Sequence, residues 1–221
     1  MDCSASLLPL LQRRLIDAFR GVHGVWLTGG AALGGYHLGH RRSLDLDWFT
    51  LESHTLEELS RRLMAWCVSE GATCTMVQEY PGFRRYRVTG GGESTLVDLV
   101  HELAAQVVPL DEKPLIDDVR VDPIRELLAN KLAAVLGRGE VKDLVDLYFL
   151  DRSGVDPLSG LADAARKDGG MEPTTLAWVL SQVSLRTEGL MMEVPLNPQD
   201  LAAFRDGLVE RLQRLTWPGS P

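Results

Sequence analysis

As far as Asp122 the apolar positions switch between helical and strand spacing, and beyond it they keep helical spacing alone. Leu8, Leu11, Leu15 and Phe19 fall three to four apart and predict an amphipathic helix that Gly21 and Gly24 end. Val25-Trp26-Leu27 is a short apolar run between glycines, the pattern of a buried strand. Gly29-Gly30 follows, then an Ala- and Leu-rich turn of helix. From Leu44 to Phe49 the chain alternates, with Leu44, Leu46 and Trp48 facing one way and Asp45 and Asp47 the other. Thr55 stands where an N-cap would, before a helix that carries Leu56, Leu59, Leu63 and Trp66 inward. Thr73–Tyr80, Phe83–Thr89 and Thr95–His101 read as strands joined by turns at Pro81-Gly82 and Gly90-Gly91-Gly92. Val119–Val121 reads as one more short strand.

After Asp122-Pro123 the spacing predicts helices over Ile124–Leu136 and Val141–Leu150, broken at Gly137 and Gly139. Further stripes run through Leu176, Val179, Leu180 and Val183, and through Leu201, Phe204, Leu208, Leu212 and Leu215. Asn197-Pro198 is a start signal for the last of them. That last stripe fits a core face better than a dimer seam, and the oligomeric state is left open. The expectation is an α+β protein with a mixed α/β domain over residues 1–122 and a helical C-terminal domain over 123–221.

Composition changes this picture little. The chain has 221 residues, enough for a buried core, and is 45% hydrophobic and 24% charged. A net charge of −8 means that any nucleic-acid contact must use a local basic patch. Cys3, Cys67 and Cys74 are odd in number and lack metal-ligand spacing, so free thiols in a reducing compartment are expected. No signal-peptide pattern and no apolar run near the ~20 residues of a membrane span is present, so the expected location is the cytoplasm, away from membranes.

The candidate chemistry is concentrated between Gly29 and Phe49. Gly29-Gly30, between a strand and a helix start, allows a backbone to approach a phosphate. Alone, it is equally the mark of a tight turn. Asp45 and Asp47 leave one face of a strand with Cα atoms roughly 7 Å apart. That spacing can converge on one or two hard cations, about 4 Å apart in two-metal sites. Alone, it also fits a solvated strand face.

The order of these features resembles a known family. "LTGGAALGGYHLGHRRSLDLDWFT" looks like the core motif of the AbiEii/AbiGii toxin family of nucleotidyltransferases, in the DNA polymerase β-like superfamily. Gly29, Gly30, His40, Arg41, Ser43, Asp45 and Asp47 match it, and Trp48 stands where Phe is usual. "ELLANKLAAVLGRGEVKDLVDLYFL" resembles the family's later motif, with Lys142 where Arg is common. The resemblance implies a polymerase β-like core, a mixed sheet flanked by helices, and Mg²⁺ or Mn²⁺ as cofactor. It implies an NTP as substrate, Lys131 as a triphosphate contact and Asp143 as a further essential residue. A toxin of a toxin–antitoxin pair is implied, with tRNA as acceptor and an antitoxin protein as partner.

Polymerase β-like enzymes take a third carboxylate from a later strand. Asp98 in "STLVDLVHE" is the first candidate, because an unpaired carboxylate in so apolar a strand is costly. Glu102 is the fallback, and a salt bridge from a nearby Arg would equally explain Asp98. Arg41 and Ser43 could contact phosphate oxygens, whereas His40 reads as a structural hydrogen-bonder. Asp146 could pair with Lys142. Arg84, Arg85 and Arg87, interleaved with Tyr80, Phe83 and Tyr86, could grip a single-stranded RNA end or form a plain solvated face. Two other readings stay open: a degenerate module that binds a nucleotide or protein without chemistry, and a transferase with a small-molecule or protein acceptor.

Overall fold

The structure, a computed structural model, describes residues 8–216. Among the described residues the backbone forms two compact units, 8–103 with Val108–Pro123, and Ala104–Val107 with 124–216.

The first unit is built on a five-stranded sheet. Its strands are β1 (Val25–Thr28), β2 (Asp45–Thr50), β3 (Thr73–Tyr80), β4 (Phe83–Gly90) and β5 (Glu93–His101), in the order β1-β2-β5-β4-β3. Only the β2–β5 pair is parallel, so the sheet is mixed. A parallel pair needs a long crossover, here the chain from α3 (Thr55–Ser69) through β3 and β4. One face is apolar: Leu46, Trp48, Tyr86, Val88, Val97 and Leu99 are buried. Leu59, Leu63 and Cys67 of α3 and Leu11 and Leu15 of α1 (Leu10–Ile16) are buried with them. Gln12 ties α1 to this face by donating to Thr95 Oγ1 and to the Ser43 carbonyl, both at 2.9 Å. Phe19 packs on Trp48 with ring centroids 4.8 Å apart. The expected alternation of β2 holds from Asp45 onward, but Leu44 precedes the strand and is exposed.

Thr55 is not the N-cap of α3. His54 before it is already in the helical region, with φ −68° and ψ −23°, so Thr55 is the first helical residue rather than the extended one a cap needs. Its N–H donates to the Glu52 carbonyl at 3.0 Å. The short strand expected at Val119–Val121 is β7 (Val119–Arg120), paired with β6 (Leu115–Ile116), while Val121 bridges to Leu27. Lys113 and Asp122, both fully buried, pair at 2.6 Å.

The second unit is helical: α4 (Ile124–Arg138), α5 (Val141–Arg152), α6 (Leu161–Lys167), α7 (Pro173–Gln182) and α8 (Pro198–Thr216). Leu127, Leu128, Leu132 and Val135 of α4 are buried, as is most of α5 from Asp143 to Leu150. Asn197 caps α8 by accepting from the Gln199 N–H at 2.9 Å. Leu201, Leu208 and Leu212 of its stripe are buried and Leu215 is exposed. Cys67 is a buried free thiol and Cys74 a half-buried one, while Cys3 lies outside the described residues. Among the described residues no helix is long and apolar enough to cross a membrane.

Candidate active site

The second face of the sheet carries the polar chemistry. Alternation turns Asp45 and Asp47 away from the buried Leu46 and Trp48, and both are half-buried. In the parallel register Asp47 lies opposite Asp98, and on the antiparallel side of β5 Asp98 lies opposite Arg85. Ligand oxygens of Asp45, Asp47 and Asp98 all fall within 4.8 Å of one another. Glu102, the fallback, lies one residue beyond the end of β5 and outside this cluster. Its Cα would be roughly 13 Å along the strand from that of Asp98.

Asp45 and Asp98 are each held by a polar neighbour. Ser43 Oγ donates to Asp45 Oδ1 at 2.7 Å. Arg85 grips Asp98 with both arms of its fork, Nε to Oδ1 at 2.7 Å and Nη2 to Oδ2 at 2.5 Å. This bond raises the Arg85 guanidinium above its ordinary pKa against the opposing effect of burial, and the charges of Asp45 and Asp47 add to it. Asp98 is 4% exposed, so the arginine replaces water that cannot reach it.

The Gly-Gly turn closes over the same carboxylates. Gly29 has φ +68°, and a Cβ there would stand 1.9 Å from Asp47 Oδ2. A Cβ on Gly30 would stand 2.6 Å from Ser43 Oγ and 3.1 Å from an Arg41 guanidinium nitrogen. The two glycines therefore let α2 (Gly29–Ala32) and the π-helical turn Leu33–Leu38 after it start directly against Asp47, Ser43 and Arg41. Arg41 and Ser43 are both buried.

The remaining predicted residues belong to the helical unit. Lys131 is 5% exposed, and its ammonium lies 3.0 Å from Asp143 Oδ1 and 2.7 Å from Asp146 Oδ2. Arg138 holds Asp143 from the other side, with nitrogens at 2.8 and 2.9 Å. Burial pushes the Asp143 carboxyl up, but Lys131 and Arg138 together outweigh it and hold the group below its ordinary value. The pairing of Asp146 with Lys142 does not form. Asp146 points inward to Lys131, and Lys142 pairs with Glu140 at 3.0 Å.

The arginine run does not form one RNA-gripping surface. Neighbouring strand residues face opposite ways, so Arg84 reaches Glu57, Glu79 and Ser60 on the apolar side while Arg85 reaches Asp98. Tyr86 is fully buried, so its ring cannot stack on a base. Tyr80 and Phe83 do stack, with centroids 6.4 Å apart. Sequence reasoning had no specific partners for Asp98, Lys131 or Asp143. For Asp98 the signal was present: Arg85 and Asp98 lie equally far from the Gly91-Gly92 turn.

A mixed five-stranded sheet with a Gly-Gly turn against an Asp-x-Asp strand, followed in the chain by a helical unit, is the frame of a nucleotidyltransferase. The sequence profile of the nucleotidyl transferase AbiEii toxin family, a type IV toxin–antitoxin system, matches residues 10–219, and the chain belongs to that family. Among solved structures it is similar to a candidate nucleotidyltransferase from H. pylori, at 21% identity over 93% of this chain and 94% of that one, with a TM-score of 0.59. JHP933 from Helicobacter pylori is similar at 21% identity over 94% and 93%, with a TM-score of 0.57. MenT4, a nucleotidyltransferase toxin from Mycobacterium tuberculosis H37Rv, is similar at 18% identity over 96% and 84%, with a TM-score of 0.60. At these identities the likeness is one of fold. No curated protein matches the chain.

Proposed function

We propose that this nucleotidyltransferase moves a nucleotidyl group from an NTP to an acceptor hydroxyl, that it depends on Mg²⁺ or Mn²⁺ held by Asp45, Asp47 and Asp98, and that the acceptor is tRNA. The observation that carries the reading is the convergence of these three carboxylates within 4.8 Å on one sheet face. Their donor set, hard oxygens alone, fits such an ion. When bound, the ions would polarise the phosphate and steady the attacking and leaving oxygens.

In the transfer, the acceptor oxygen bonds to the α-phosphorus as the bond to the β-phosphate oxygen breaks. Pyrophosphate leaves, and the hydroxyl proton passes to water. Gly29 and Gly30 bring backbone N–H groups near the phosphates, and Arg41 and Ser43 neutralise and orient them. The family resemblance assigns Lys131 to the triphosphate, and within the helical unit Asp143 holds the Lys131 ammonium at 3.0 Å. The tRNA acceptor and an antitoxin protein as partner rest on the family resemblance.

The test is incubation of the full chain with each labelled NTP, Mg²⁺ and total tRNA, beside small-molecule and protein acceptors. Label on tRNA that disappears with Asp47→Ala supports the reading. No label on any acceptor sinks it. One observation favours the degenerate alternative: Arg85 already occupies both oxygens of Asp98. Mg²⁺-dependent NTP binding without turnover would select that alternative.

A further inference from the structure

The three carboxylates place three formal negative charges within 4.8 Å on a half-buried face. Such a group repels itself unless a cation sits among it. Arg85 supplies a cation at Asp98. It comes from β4, outside both sequence motifs, and the β4–β5 register aims it at Asp98. Its two bonds engage both oxygens of the most buried carboxylate of the three. The Arg85 side chain is 32% exposed, against 6% for Asp98, so the arginine can swing toward solvent while Asp98 stays where β5 holds it.

We infer that Arg85 is a positioning residue that competes with a divalent ion for Asp98: it holds the metal-free triad together and must release an Asp98 oxygen before that carboxylate can join an ion already on Asp45 and Asp47. The inference rests on reading the triad as an ion site. It gives the chain a built-in brake on metal loading. The guanidinium fork matters as well as its charge, because only a planar fork covers both carboxylate oxygens at once. Lysine at this position would keep the charge yet leave one Asp98 oxygen open.

The experiment is Mn²⁺ binding to the full chain, followed by electron paramagnetic resonance and by titration calorimetry, with melting curves in EDTA and in Mn²⁺. Wild type, Arg85→Gln, Arg85→Lys and Asp47→Ala are compared. Arg85→Gln is expected to bind Mn²⁺ about tenfold more tightly than wild type, as removal of a nearby positive charge favours a cation. It should also melt lower in EDTA and recover the loss when Mn²⁺ is added. Arg85→Lys should fall between wild type and Arg85→Gln, and it carries the test by itself should the glutamine variant not fold. Unchanged or weaker Mn²⁺ binding in the Arg85 variants, with binding abolished by Asp47→Ala, overturns the role of Arg85 alone. Absence of Mn²⁺ binding in the wild type overturns the ion-site reading together with it.

Discussion

Asp47 on β2 and Asp98 on β5 lie directly opposite each other across the one parallel strand pair of the sheet. A one-residue slip of that register would turn one of them to the apolar face. The slip is prevented by the partners of the intervening residues: Leu46, Trp48, Val97 and Leu99 are all buried on the other side. The hydrophobic core thus sets the relative position of carboxylates that are far apart in sequence.

Asp47→Asn is expected to lower nucleotidyl transfer by about 10²–10³-fold, because a bound metal ion supplies several kcal/mol of charge stabilisation at about 1.4 kcal/mol per decade. The same change should leave the melting temperature in EDTA close to that of wild type, since Asp47 is half-buried on the polar face and an amide keeps the shape of the carboxylate. Initial rates with labelled NTP and melting curves in EDTA check both. A drop in EDTA stability together with activity would make Asp47 structural.

Gly29 and Gly21 separate backbone strain from steric exclusion. Both have φ +68°, but a Cβ at Gly21 meets nothing within 4 Å, whereas one at Gly29 collides with Asp47. Gly21→Ala should cost about 1–2 kcal/mol of stability from the left-handed conformation and leave transfer intact. Gly29→Ala should cost at least as much and displace Asp47, with transfer falling at least tenfold. Urea unfolding and rates at saturating NTP distinguish them, and equal rates for the two variants would contradict the close approach.

Much of this site was legible because it depends on short-range pattern. Strand alternation placed Asp45 and Asp47 on one face, and the apolar surroundings of Asp98 singled it out as a carboxylate that must find a partner. What was not read were the partners themselves. Arg85 could have been found by counting: it stands six residues before Gly91, and Asp98 six after Gly92, so a two-residue turn there makes them opposite. Lys131, Asp143, Asp146 and Arg138 meet through the packing of α4 on α5, and helical spacing within either helix carries no information about that angle. Thr55 failed as a cap for a local reason, since nothing in its own identity reveals that His54 has already turned helical.

The buried charge cluster of the helical unit makes an acid-sensitivity prediction. The Asp143 carboxyl is held below its ordinary pKa in the folded chain. A lowered folded-state value means that the stability it contributes is complete above the ordinary carboxylate value near 4 and is lost as pH falls below it toward the folded value. Asp143→Asn should flatten the fall in urea midpoint between about pH 5 and pH 3 relative to wild type. Lys131→Met should cost about 3–5 kcal/mol at neutral pH, because it takes the shared buried ammonium away from both Asp143 and Asp146. Asp143→Asn should cost less, since Lys131 keeps Asp146 and the 45%-exposed Arg138 side chain can turn to water. Equal losses in the two variants would contradict this division of the cluster.

Tyr86 tests the separation of the two sheet faces. It is fully buried on the apolar side, and among the described residues its hydroxyl has no hydrogen-bond partner. Burial of such a hydroxyl costs about 1–3 kcal/mol, so Tyr86→Phe is expected to stabilise the chain by about 1 kcal/mol. For a protein of this size that is a rise of roughly 2–4 °C in melting temperature. Tyr86→Ala should instead lose about 3–5 kcal/mol by opening a cavity beneath α3. Tyr80→Ala, at an exposed position on the edge strand, should stay within about 0.5 kcal/mol of wild type. None of the three touches the triad, so transfer per folded molecule should be unchanged in Tyr86→Phe. A stability loss in Tyr86→Phe would mean that the hydroxyl has found a partner, such as a bound water, and that part of the apolar face is wet.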